Sequence, residues 1–136
     1  MKKKILLVDD DLDDREIISD AFKMIEADHL LHFESDGENA IQYVQSQLET
    51  GDLPSLIVLD LNMPRLNGAQ TLKILKSDPR FENIPVIIFS TSLNDLEKKE
   101  CLNLGAHSYV IKPVYYKESV ETARAFYEIS KSPHNK

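Results

Sequence analysis

Residues 56–64, Leu-Ile-Val-Leu-Asp-Leu-Asn-Met-Pro, constrain this chain more than any other stretch. Four consecutive apolar residues, β-branched at Ile57 and Val58, read as a strand buried on both faces, as in a parallel sheet, rather than an alternating half-exposed one. The run ends on an acid, and Pro64 stops any further strand or immediate helix. Asp60 is therefore expected at the carboxyl end of a buried strand, the edge at which open α/β sheets bind ligands. Taken alone, such an acid serves equally well as a strand end or a helix cap. The other strand ends of the chain decide what it is for.

Ile5 to Val8 reads as the first strand, with Asp9-Asp10-Asp11 at its carboxyl end. Ile18, Ala21, Phe22 and Ile25 then follow the spacing of one helix face. A second strand is expected over His29 to Glu34, closed by Asp36-Gly37, and a helix follows with Ile41, Val44 and Leu48, ending at Gly51. After the strand at Leu56 to Asp60, Gly68 opens a third helix that runs to about Asp78-Pro79. Ile84 to Ser90 is the fourth strand. Asn94 and Glu97 form a capping pair for a polar fourth helix, which stops at Gly105. His107 to Lys112 is the fifth strand, and Lys117 to about Ser130 the last helix.

Five strands alternating with five helices predict a doubly wound α/β fold, a parallel sheet covered on both faces. Right-handed crossovers give the flavodoxin-like strand order 2-1-3-4-5, which sets the first and third strand ends side by side. Asp9, Asp10 and Asp60 should therefore converge. The length of 136 residues suits one domain, read as 1–131, with a short frayed tail at 132–136.

Carboxylates gathered about 4 Å apart repel by about 4 kcal/mol per pair at an effective dielectric near 20. A hard cation relieves this, and an oxygen-rich site with few protein ligands suits Mg²⁺. An EF-hand is excluded, since its glycine position falls on Asp14. Asp13 and Asp14 read as a solvated, dipole-favourable helix start. Ser90-Thr91-Ser92 ends the fourth strand and Lys112-Pro113 the fifth. Hydroxyls and a lysine beside a metal–carboxylate site point to a dianionic ligand such as a phosphoryl group. The net charge of −7 speaks against nucleic acid and for a cation or a basic protein surface as partner. Cys101 stands alone, without an activating motif, so it reads as structural. Lys2-Lys3-Lys4 with four apolar residues is too short for a signal peptide or a membrane span. The cytoplasm is the expected compartment.

With these residues assembled, the chain resembles the receiver domains of two-component response regulators. The resemblance covers Ile5 to about Ile129. It rests on Leu-Val-Asp-Asp at 7–10, Val-Leu-Asp-Leu-Asn-Met-Pro-Arg-Leu-Asn-Gly at 58–68, Pro-Val-Ile-Ile-Phe-Ser at 85–90 and Gly-Ala-His-Ser-Tyr-Val-Ile-Lys-Pro at 105–113. It implies that Asp60 accepts a phosphoryl group from a histidine kinase or a histidine phosphotransfer protein. It further implies that Asp10, Asp60 and the Asn62 carbonyl hold Mg²⁺, with Asp9 behind them or bonded through water. Lys112 would contact the phosphoryl oxygens, the Lys112–Pro113 bond would be cis, and Gly68 and Gly105 would be structural. Ser90 would be the switch hydroxyl, and Tyr109 an aromatic that moves from a solvent-facing to a buried position with it.

Two positions depart from the commoner family pattern. Ser90 stands for threonine, and Thr91 for alanine, where its branched side chain would narrow access to the phosphoryl group. Tyr115 and Tyr116 either form an exposed patch or pack into the sheet. No output domain is expected after the fifth helix, so the expected output is a protein surface formed by helix four, strand five and helix five, which is also open to homodimer formation. The downstream protein target is unknown. A Mg²⁺-dependent phosphatase of haloacid-dehalogenase type is the rival reading. It needs a second acid two residues after the nucleophile, where this chain has Asn62, which cannot donate a proton. A flavodoxin-like cofactor binder lacks a phosphate-cradling loop after the first strand. An inert pseudo-receiver is disfavoured by the acids and Lys112.

Overall fold

The computed structural model describes residues 4–132; the expectations for Lys2, Lys3 and residues 133–136 lie outside the described residues. The chain runs β1 (Ile5–Val8), α1 (Leu12–Met24), a 3₁₀ turn (Asp28–Leu30), β2 (Leu31–Glu34), α2 (Gly37–Thr50), β3 (Leu56–Asp60), α3 (Gly68–Lys76), β4 (Val86–Ser90), α4 (Asp95–Asn103), β5 (Ser108–Ile111) and α5 (Tyr116–Lys131). All strand pairs are parallel, in the order β2-β1-β3-β4-β5. This is the flavodoxin-like arrangement expected from the alternation of apolar runs and amphipathic stretches.

The strands read as unbroken apolar runs because both of their faces are covered. Leu6, Val8, Ile57, Leu59, Val86 and Ile88 pack with Ala40 and Val44 of α2, Leu72 and Leu75 of α3, and Cys101 of α4. The alternate residues Ile5, Leu7, Leu56, Val58, Ile87 and Phe89 pack with Ile18 and Phe22 of α1 and Phe126 of α5. Each fully buried Leu, Ile or Phe contributes roughly 1.5–3 kcal/mol relative to an exposed one. The central strands thus form a rigid platform, and the loops at their carboxyl ends inherit its precision.

Several element ends differ from expectation, each for a local reason. Leu30 donates its N–H back to Ala27, so residues 28–30 close a turn and β2 begins at Leu31. β4 begins at Val86 because Ile84 N–H bonds back to Phe81 and Pro85 has no N–H to pair. α3 stops at Lys76, two residues short of Asp78. Pro79 disfavours a helical Asp78, and Lys76 Nζ donates to the carbonyls of Glu82 (2.8 Å) and Ile84 (2.7 Å), tying down the turn that follows. Asn94 does cap α4, accepting from Glu97 N–H at 3.0 Å, and Gly51 (φ 77°) closes α2 in the left-handed region.

α4 is the lightly packed helix. Cys101 is its one buried helical residue, while Leu96 is 80% and Leu102 41% exposed. Tyr115 and Tyr116 both face solvent, which settles them as an exposed patch beside Val114.

Candidate functional site

Register carries the site. Val8 lies level with Leu59, so Asp9 and Asp60 leave the sheet at one height. Asp60 is level with Phe89 and Ser90 with Ile111, which brings Ser90 and Lys112 to the same edge. Carboxylate oxygens of Asp9, Asp10 and Asp60 lie within 4.8 Å of one another. Asp9 (4% exposed) and Asp60 (7%) are buried, whereas Asp10 faces solvent. The crevice at the switch point is therefore acidic on its floor and open on one side.

Lys112 reaches into it from the end of β5, with its side chain 8% exposed. Its Nζ donates to Asp9 Oδ2 and to Asp14 Oδ2, both at 2.8 Å. It also forms an ion pair with Asp60 Oδ1 at 3.5 Å, and lies 5.8 Å from the centre of the Phe89 ring. Burial pushes the Lys112 ammonium down. Its bonds to Asp14 and Asp9, with the charges of Asp9 and Asp60, outweigh that and raise it above its ordinary value. Burial lifts the Asp60 carboxyl from 3.8 to about 6; Lys112 opposes the rise and the Asp9 charge adds to it. One carboxylate of the pocket is thus poorly compensated.

Asp14 was expected to be a solvated helix-start acid, and this is corrected: it is a direct partner of Lys112. Asp13, one residue earlier, does face solvent. Asp11 caps α1, accepting from Asp13 N–H (2.9 Å) and Asp14 N–H (3.2 Å). The Lys112–Pro113 bond, expected cis, is trans, as is every described peptide bond. Trans is the intrinsically preferred isomer before proline, and Lys112 reaches the acids from it.

Asn62 sits exposed at the mouth, its N–H donating to Asp60 Oδ1 at 3.4 Å. The loop it belongs to is tied down next door. Arg65, at φ 63°, pairs with Asp36 (3.0 Å) and Glu38 (3.4 Å) at the start of α2. Ser90 is fully buried, and its hydroxyl donates to the Ser92 carbonyl at 3.2 Å. Thr91 is exposed at the rim. Tyr109, expected to face solvent before phosphorylation, packs inward at 9% exposure and donates to the same Ser92 carbonyl at 3.0 Å. Its ring joins the core cluster of Val86, Ile88 and Cys101, and its hydroxyl needs a partner at that depth. Gly105 (φ 109°) follows α4 in a conformation that favours glycine.

An open parallel sheet with three acids at its switch point, and a lysine and a hydroxyl from the next strand ends, defines a doubly wound α/β domain whose acidic cluster fits a divalent cation. The chain belongs to the response regulator receiver domain family, whose pattern matches residues 5–124. It is similar to response regulator Rcp1 of Synechocystis sp., 34% identical over 112 residues, covering 81% of this chain and 76% of that protein. It is also similar to chemotaxis protein CheY1 of Helicobacter pylori, 31% identical over 110 residues, covering 81% of this chain and 85% of that one. Among solved structures, the phosphorylated cyanobacterial phytochrome response regulator RcpA superposes with a TM-score of 0.86 at 28% identity, covering 100% of both chains. The Mn²⁺-bound form of response regulator Rcp1 superposes at 0.82 and 28% identity, covering 98% of this chain and 99% of that one. Receiver domains are signalling domains of two-component systems rather than metabolic enzymes, and response regulators of this kind interact with histidine kinases or phosphotransfer proteins. The phosphatase reading is not favoured. Among the described residues, no helix is long and apolar enough to cross a membrane.

Proposed function

We propose that this chain, as one receiver domain over residues 1–131, takes a phosphoryl group on Asp60 in a Mg²⁺-dependent reaction and signals through altered protein contacts. The observation that carries the reading is the convergence of the Asp9, Asp10 and Asp60 oxygens within 4.8 Å beside an ammonium 3.5 Å from Asp60. The donor set is hard oxygen, with waters able to fill the open side, which fits Mg²⁺. Asp10, Asp60 and the Asn62 main-chain carbonyl would hold the ion. Asp9 stands behind them, since Lys112 and Asp11 N–H (2.9 Å) already engage its two oxygens. When bound, Mg²⁺ neutralises charge on the transferring phosphoryl oxygens.

In the step itself, an Asp60 oxygen attacks the phosphorus of a phosphohistidine on a kinase or phosphotransfer protein. The P–N bond breaks, its electron pair stays on the imidazole nitrogen, and an acyl phosphate forms on Asp60. Lys112 stands ready to bond the phosphoryl oxygens, and Thr91 at the rim narrows the approach of the water that later hydrolyses the acyl phosphate. Incubation with a small phosphoryl donor and Mg²⁺ should add one phosphoryl mass in an acid-stable, base-labile linkage; no adduct under these conditions refutes the proposal.

The Asp10→Asn chain should bind Mg²⁺ about tenfold more weakly in calorimetric titration, the loss of one charged ligand from a site with few. Equal titration curves would place the ion elsewhere. The switch is read from the hydrogen bonds of the β4–α4 loop. Ser90 and Tyr109 share the Ser92 carbonyl. An aspartyl phosphate adds about −1.5 to −2 charge, and Ser90 can turn its hydroxyl to it, releasing one of the two donors that pin the loop. α4, with little buried area, would then shift at low cost. The regulated face would be α4, β5 and α5, edged by Tyr115 and Tyr116, for a downstream protein or a second copy of the chain. Hydrogen exchange should change across α4–β5–α5 on adding beryllofluoride, and the Ser90→Ala chain should lose most of that change. A response confined to the acidic pocket in the parent chain would remove this face from the mechanism.

A further inference from the structure

We infer that Asp14 is a positioning residue that holds Lys112 back from Asp60, so that a phosphoryl group has to draw the ammonium away from it. The inference rests on the reading of Asp60 as acceptor. Three acids compete for one cation. Two hold it at 2.8 Å, while Asp60 is left at 3.5 Å, beyond the range of a good hydrogen bond. Of the two close partners, Asp9 belongs to the acidic floor and Asp14 reaches across from the first turn of α1. Helix-start electrostatics account for an acid at this place but not for its side chain turning to a lysine just after β5. Asp13 serves the same end of the helix and faces solvent. The side chain of Asp14 is also spared any capping duty, which falls to Asp11.

Two consequences of opposite sign follow. With Asp14 neutralised, Lys112 settles closer to Asp60, where it competes with Mg²⁺ for the same carboxylate. The metal alone then binds more weakly. The phosphoryl group, in contrast, no longer has to take Lys112 from a rival acid, so the phosphorylated arrangement is reached more readily. A structural role for Asp14 at the helix start would move both affinities the same way or neither.

The test uses the whole chain and two probes, Mg²⁺ alone by calorimetry and beryllofluoride at saturating Mg²⁺ by ¹⁹F resonance. The Asp14→Asn chain should bind Mg²⁺ about threefold more weakly and beryllofluoride about fivefold more tightly, the scale of one partly buried ion pair. The Asp14→Glu chain, which keeps the acid, should return towards the parent in both. The Asp13→Asn chain, with the same change of charge one residue away, should track the parent. Parallel shifts, parental behaviour of Asp14→Asn, or the same pattern from Asp13→Asn each overturn the inference while leaving Asp60 in place. If the parent takes up no beryllofluoride, the acceptor reading falls and this inference falls with it.

Discussion

Asp60→Asn is expected to abolish the acid-stable, base-labile phosphoryl adduct and, in the same protein, to raise the melting temperature when metal is chelated. The first effect is chemical: an amide oxygen at this position is no nucleophile for phosphorus, and the two oxygens of Asp9, the other buried acid of the pocket, are already engaged by Asp11 N–H and Lys112. The second follows from burial. Without metal, burial first and then the Asp9 charge push the Asp60 carboxyl up from an ordinary 3.8 to about 6, with Lys112 opposing. The folded chain therefore binds this proton more tightly than the unfolded chain does. Well below pH 3.8 Asp60 is protonated in both states and is neutral in its effect. As pH rises through 4 to 6 the unfolded chain ionises first, and above 6 the buried charge costs on the order of 2 kcal/mol. Asparagine removes that cost, and Lys112 keeps Asp9 and Asp14 as partners. At neutral pH with chelator the variant should melt several degrees higher, and the gap should close as pH falls towards 4. Mg²⁺ should also narrow it, because ligand that binds only the folded parent stabilises the parent alone. A variant that melts lower than the parent throughout this range would mean that Asp60 is not the strained group of the pocket.

How far the sequence foretells this pocket depends on what each residue is attached to. Asp9, Asp60, Ser90 and Lys112 are legible because each ends an apolar run, and a parallel sheet delivers all such ends to one edge. Asp14 is not legible in the same way. It lies on a helix among four other aspartates, and sequence spacing cannot distinguish a solvated acid from one that bridges to residue 112. The inward Tyr109 escapes for a related reason: its hydroxyl is satisfied by the Ser92 carbonyl, 17 positions away, in a loop with no sequence signature of its own. The trans Lys112–Pro113 bond departs from what the family resemblance implied, since residue types alone do not specify the isomer. Strand ends are misjudged by one or two residues wherever a turn takes the first N–H, as at Leu30 and Ile84.

Gly68→Ala should be the most damaging single-methyl change near the site, although Gly68 is not itself a ligand. A Cβ built there would lie 2.5 Å from the Asp60 carbonyl oxygen and 2.8 Å from Leu61 Cα. Both are backbone atoms at the strand end that carries Asp60, so no side chain can rotate out of the way. The same glycine donates its N–H to the Leu61 carbonyl at 2.9 Å, closing the β3–α3 loop around Asn62. Its need is therefore steric rather than conformational. Overpacking of this kind costs about 1–3 kcal/mol of stability, and part of the relief has to come from moving Asp60 or Asn62. Mg²⁺ affinity should accordingly fall about tenfold, more than the change in stability alone would produce in a chain still folded. Gly51→Ala is the matched comparison. That glycine has φ 77° and open space where a Cβ would go, so alanine there should cost about 1 kcal/mol through backbone strain and leave Mg²⁺ binding at the parental value. Calorimetric titration of the two variants, below their melting temperatures, separates the cases: if both bind Mg²⁺ like the parent, the end of β3 yields more easily than its contacts imply, and Gly68 does not fix the position of Asp60.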